Sequence, residues 1–97
     1  MNLVFHPEAE IELNEAVTYY EECRLGLGNE FMQEVCAAVE RMLVYPKAWP
    51  VLDGDIRRVL MHRFPFGLLY VEKASQIQIL AVMNLHRAPS YWKSRVV

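Results

Sequence analysis

The sequence predicts one small α+β domain, with a short N-terminal strand and a two-helix hairpin packed on a small antiparallel β-sheet, in the order β-α-α-β-β-β. Three observations predict it. Apolar residues recur at helical spacing up to Tyr45 and at strand-like spacing from Ile56 onward. Glycine and proline fall between these segments: Gly26 and Gly28, Pro46 and Pro50, Pro65 and Gly67. The 97 residues suffice for one domain with one modest core, and a hydrophobic share of 54% argues against disorder.

Leu3 to Phe5 read as a short strand. His6 precedes Pro7 and is thereby biased toward extended backbone. Pro7 suits a first helical turn, and Glu8 and Glu10 favour the positive end of a helix. Ala9, Leu13, Ala16, Tyr20 and Cys23 recur at helical spacing, so a helix is expected from about Pro7 to Arg24. Gly26 and Gly28 break it. The second helix runs from Leu27 or Gly28 to Tyr45 and carries two apolar stripes. One holds Phe31, Val35, Ala38, Met42 and Tyr45; the other holds Met32, Cys36, Val39 and Leu43. One stripe suffices to cover a sheet, and the second is expected to pack on the first helix. Pro46 stops this helix, and residues 47–55 read as an irregular loop. Strands are expected at Ile56–Phe64, Leu68–Lys73 and Ile77–Leu85. Their short links make them an antiparallel meander. The segment from His86 to Val97 is basic and aromatic.

Charge is segregated along the chain. Residues 1–55 hold eleven acids against three bases, a charge of −8; residues 56–97 hold seven bases against one acid, a charge of +6. The basic half suits a polyanion. Alternatively, the two halves pair with each other across the fold. The longest apolar run, Ile79 to Met83, is too short to cross a bilayer. The first residues carry no basic region followed by an apolar stretch, so no secretory signal is expected and the cytoplasm is the expected compartment. Cys23 and Cys36 lack a CxxC or a nearby pair of histidines; no metal site is expected, and both read as small core residues. Glu8, Glu12 and Glu15 lie near one helical face and read as solvated.

Two clusters suit chemistry. On the 56–64 strand, alternation puts Arg58, Leu60 and His62 on one face and Arg57, Val59, Met61 and Arg63 on the other. Arginine grips phosphate bidentately, but charge also protects an edge strand from aggregation. The second cluster, His86 to Arg95, follows the last strand. His86 is of the residue type suited to proton transfer, Arg87 suits a charged transition state, and Lys93 adds a cation among aromatic residues. Trp92 reads as a plug on the core.

Ordered along nearly the whole chain, one set of residues resembles the RelE/ParE toxin superfamily, in particular its plasmid stabilisation proteins. The set comprises Ala9-Glu10 with Leu13 and Ala16, Tyr19-Tyr20-Glu21, and Gly26-Leu27-Gly28 with Phe31 and Val35. Pro46, Pro50, Ile56-Arg57-Arg58, Arg63-Phe64-Pro65-Phe66 and Tyr70 follow, then Ala81-Val82-Met83 and His86 through Trp92. The resemblance implies a toxin of a bacterial toxin–antitoxin pair that needs no cofactor. A cognate antitoxin would hold it inactive, and Phe31, Val35, Val39 and Met42 would offer the docking face. Whether the chain forms a homodimer or a hetero-oligomer with the antitoxin stays open.

The superfamily divides by target. RelE-like members cut messenger RNA on the ribosome without metal, and ParE-like members poison DNA gyrase. In the nucleases an arginine follows the aromatic that opens the third strand; here Gly67 follows Phe66. Lysines expected on the preceding strand are replaced by Arg58 and Leu60, while Arg87 and Tyr91 match later family positions. The implied reading leans toward a ParE-like toxin that is not an enzyme. The alternative is a nuclease using His86, Arg87 and Tyr91, with Arg57, Arg58, Arg63 and Lys93 on the phosphates. A third reading is a non-toxic binding module.

Overall fold

In the computed structural model, which describes residues 2–87 and 90–96, His6 caps the first helix. Its Nδ1 accepts a hydrogen bond from the Glu8 amide at 3.1 Å, while its own amide donates to the Ile79 carbonyl at 2.8 Å. Strand β1 (Asn2–Phe5) thus turns directly into α1 (Pro7–Cys23), with Pro7 at the start as expected. Helix α2 spans Leu27–Val44. Its start is fixed by Glu21, whose carboxylate accepts the Gly26 and Gly28 amides at 3.0 Å each. Those amides would otherwise be orphan donors at a helix N-terminus. Gly26 adopts a φ of 88°, which favours glycine. Gly28 serves the close approach of the helices: a Cβ there would lie 2.6 Å from the Val17 carbonyl oxygen.

Four further strands follow: β2 (Val51–Asp53), β3 (Ile56–Leu60), β4 (Phe66–Lys73) and β5 (Gln76–Asn84). A 3-10 turn spans Lys93–Arg95. The sheet order is β1-β5-β4-β3-β2. The antiparallel meander is present, but the sheet is mixed, because β1 pairs with β5 in parallel. No tight turn joins those two strands; the helices and the meander form the long crossover that parallel neighbours require.

Two further expectations are corrected. The loop after α2 contributes β2, which pairs with β3 irregularly and is only three residues long. Proline and aspartate beside it hide the strand pattern. Strand β3 ends at Leu60 rather than Phe64. Residues 61–65 turn over instead, held by Glu34, whose carboxylate accepts the His62 and Arg63 amides at 3.2 and 3.1 Å.

The main core lies between helices and sheet. Phe31 sits at its centre, with the rings of Tyr20, Phe64 and Phe66 at 5.2, 5.1 and 5.0 Å. Val35, Ala38 and Met42 extend it along α2 toward Val59 and Leu68. A second cluster covers the far face of the sheet, where Trp92 packs with Ile56, Leu69, Val71, Leu80 and Met83. Both faces of β4 are therefore buried, as its run of apolar residues requires. Trp92 is 1% exposed and plugs this cluster as expected. Cys23 and Cys36, by contrast, are both exposed. The second stripe of α2 does not pack on α1 throughout: Cys36 and Leu43 face outward. Among the described residues no helix is long and apolar enough to cross a membrane.

Candidate functional site

Helix α1, strand β5 and the segment after it meet at one carboxylate, that of Glu12. Glu12 was expected in water, yet its side chain is 10% exposed. It lies three residues after Ala9 and four before Ala16, both buried, so it shares the inward face of α1. The Val82 amide donates to its Oε1 at 3.0 Å. Arg95 donates to it through Nη1 at 2.8 Å and Nη2 at 3.1 Å, a bidentate fork. Arg95 is itself 10% exposed, and its Nη1 also donates to the Leu80 carbonyl at 3.0 Å. The Tyr91 hydroxyl donates to Oε2 at 2.7 Å. Arg87 lies over the Tyr91 ring at 3.8 Å and reaches Oε2 at 3.5 Å.

This environment changes the acidity of its members. Burial first, then the bond to Glu12, pushes the Tyr91 phenol well above the ordinary tyrosine range. The bond to Glu12 likewise raises Arg95. Both stay protonated at neutral pH and act as donors. The structure therefore brings the predicted Arg87 and Tyr91 together, but on an internal acid. The predicted His86 is exposed, and its amide donates to Asn84 Oδ1 at 2.9 Å. Ala88 and Pro89 of the resemblance lie outside the described residues.

The remaining predicted cations do not converge. Arg57 donates to the Trp49 carbonyl at 2.7 Å. Arg58 lies across the sheet on Gly67, where an added Cβ would meet its Cγ and Cδ at 3.2 Å. Arg63 pairs with Glu30 at 2.7 Å, holding that carboxyl below its usual range. Lys93 pairs with Asp53 at 3.4 Å. Much of the segregated charge is thus spent between the two halves of the fold, including the pairs Arg63–Glu30 and Arg95–Glu12.

The expected docking face also needs correction. Phe31, Val35 and Met42 are 0%, 2% and 0% exposed, and Val39 is half-buried against the same core. They hold the domain together and present no free surface. The open apolar surface begins where α2 ends, with Leu43, Val44 and Tyr45. There Ala37, Glu40, Arg41, Val44, Tyr45 and Trp49 line a cleft of about 580 Å³. Trp49 also borders a second cleft, of about 360 Å³, with Val51, Leu52, Arg58, Leu60 and His62. A carbonyl-anchored loop carries this surface: Tyr70 donates to the Pro46 carbonyl at 2.6 Å, and Trp49 Nε1 to that of Arg41 at 3.4 Å.

Fold and site together define a class: a small α+β domain whose cations are largely paired internally and which leaves apolar side chains open at the end of α2. No protein-family model matches the sequence, and no curated protein matches it. Among solved structures, the chain is similar to one described as the chromosomal ParDE TA (toxin–antitoxin) system from P. aeruginosa. The TM-score is 0.64 at 21% identity, over 89% of this chain and 97% of that one. The likeness shows the fold, which is the α+β arrangement expected from the RelE/ParE resemblance.

Proposed function

We propose that the protein is the toxin of a type II toxin–antitoxin pair and acts by binding a protein, in the manner of ParE-like toxins on DNA gyrase, rather than by cutting RNA. The observation that carries the second half is the state of the candidate nuclease residues. Metal-free cleavage of RNA calls for a free acid, a free base and cations around a phosphate. Here the Tyr91 hydroxyl and the Arg87 guanidinium are turned onto Glu12. Arg58 covers Gly67, the place of the nuclease arginine. The likeness to a ParDE structure supports the first half.

The cognate antitoxin docks on the apolar surface around Leu43, Val44, Tyr45 and Trp49. Exposed apolar area of that breadth marks a partner site. Glu40 and Arg41 stand side by side in the first cleft, and Arg58 and His62 border the second, so acidic residues of a docked segment suit the second cleft.

Two parallel assays test the reading. Purified protein is added to a gyrase supercoiling reaction and to a reconstituted translation reaction whose messenger ends are mapped. Supercoiling is expected to stop while the messenger stays intact. New ribosome-dependent cuts would overturn the reading in favour of a nuclease. Normal supercoiling with an intact messenger would leave a binding module without toxicity.

A further inference from the structure

We propose that Glu12 is a built-in occupant of an anion cradle, and that by filling it Glu12 keeps the cluster of Arg87, Tyr91 and Arg95 from gripping a nucleic-acid backbone. The inference rests on the non-nucleolytic reading above and gives it a cause in a single residue.

The donor set is the kind that holds a phosphate. A guanidinium fork, a hydroxyl and a backbone amide converge on one pair of oxygens, at 2.8, 3.1, 2.7 and 3.0 Å. Such groups supply most backbone contacts in nucleic-acid complexes. A carboxylate and a phosphodiester offer the fork the same two-oxygen geometry. The cradle is also rigid, because Arg95 is anchored to the Leu80 carbonyl at 3.0 Å. Its outer side is reachable: a cleft of about 260 Å³ between Tyr19, Tyr20 and Asn84 opens onto Glu12 and Arg87, while Arg95 lies behind Glu12 and is 10% exposed. Arg87 is 53% exposed and forms the outer arm.

An approaching phosphate therefore finds its donors already committed. It also meets the charge of Glu12, with that of Glu15 lining the same cleft. Removing the negative charge at position 12 while keeping the side-chain shape leaves two cations uncompensated. The amide oxygen of a glutamine can still accept from Val82 and from Arg95 Nη1, so the segment stays docked, while its NH2 offers Arg87 no acceptor and Arg87 is released.

The test compares the wild-type chain with Glu12→Gln and with Glu12→Gln/Arg87→Ala. Binding of a short fluorescent single-stranded RNA is read by anisotropy at low and at physiological salt. Glu12→Gln is expected to bind about tenfold tighter, with a salt slope steeper by about 0.7 for each cation freed. The double variant is expected to lose the gain. Unchanged affinity in folded Glu12→Gln would overturn the proposal. If that variant fails to fold, the wild type decides: RNA should leave the reactivity of Arg87 and Arg95 toward phenylglyoxal unchanged, and protection of either arginine would overturn the proposal. Supercoiling is measured separately, so a failed gyrase assay beside tighter RNA binding overturns the target reading alone.

Discussion

The two ends of this molecule handle polar and apolar groups in opposite ways. At the Glu12 junction, charged side chains are drawn out of water and every donor finds an acceptor: Arg95, Tyr91 and Val82 all end on one carboxylate. At the end of α2, apolar side chains are left in water: Val44 and Tyr45 are 64% and 66% exposed. The first region is closed by its own chemistry. The second is left open among the described residues. Charge on this protein thus serves construction, and in the function proposed above the open apolar surface serves recognition.

The sharpest way to break the comparison is Glu12→Ala. It strands the nearly buried Arg95 guanidinium, and losing one partner of such a pair costs about 3–5 kcal/mol. Urea unfolding should show an unfolding free energy lower by that amount, read from the shift in midpoint multiplied by the m-value; a cost near zero would mean the junction adds nothing to stability. Alkaline pH probes both regions more gently, through Tyr91 at the junction and through Tyr70 under the loop that carries the apolar surface. Burial pushes the Tyr70 phenol up to about 12 and raises Tyr91 as well. A raised folded value stabilises the neutral form, so this contribution is complete below about pH 10 and is lost as pH climbs through 12. Thermal melts should therefore fall across that window, and less so in Tyr91→Phe.

Smaller effects sharpen the contrast. Arg63→Ala removes an exposed pair and should barely move the melt, while the Glu30 carboxyl, followed by NMR, rises toward its ordinary range. Tyr45→Ser should change stability by no more than about 0.5 kcal/mol, because the side chain is largely in water already. Yet co-purification with the antitoxin should weaken clearly. If Tyr45→Ser unfolds the domain and leaves the partner bound, the roles of the two regions are reversed.

Much of the fold is legible in the sequence because local signals carry it. Pro7, Gly26 and Pro46 punctuate the elements near where they break, whereas Gly67, expected between segments, lies inside β4; the first stripe of α2 becomes the core except at Tyr45, which is exposed. What stays hidden is long-range. The pairing of β1 with β5 leaves no local mark, and β2 is too short to show alternation. The site is less legible. Arg87 and Tyr91 stand out as residue types, and the structure brings them together. Their partner Glu12 does not stand out, because a glutamate on an acidic helix looks solvated. One signal was present: its spacing from Ala9 and Ala16 puts it on the inward face. Arg95 escapes notice because its acceptor lies on another element.

The parallel pairing of β1 has a consequence for synthesis. Asn2 finds its neighbour only at Gln76. While the ribosome is still making the intervening chain, β1 has no strand to join, and the helical hairpin has only part of its floor. Closing so long a loop is slow, since chain entropy is lost before the contacts reward it. The domain therefore matures late, after β5 emerges, and until then the nascent chain displays an unpaired strand edge. A helper that shields such an edge during translation would raise the yield of folded protein more than one that acts after release.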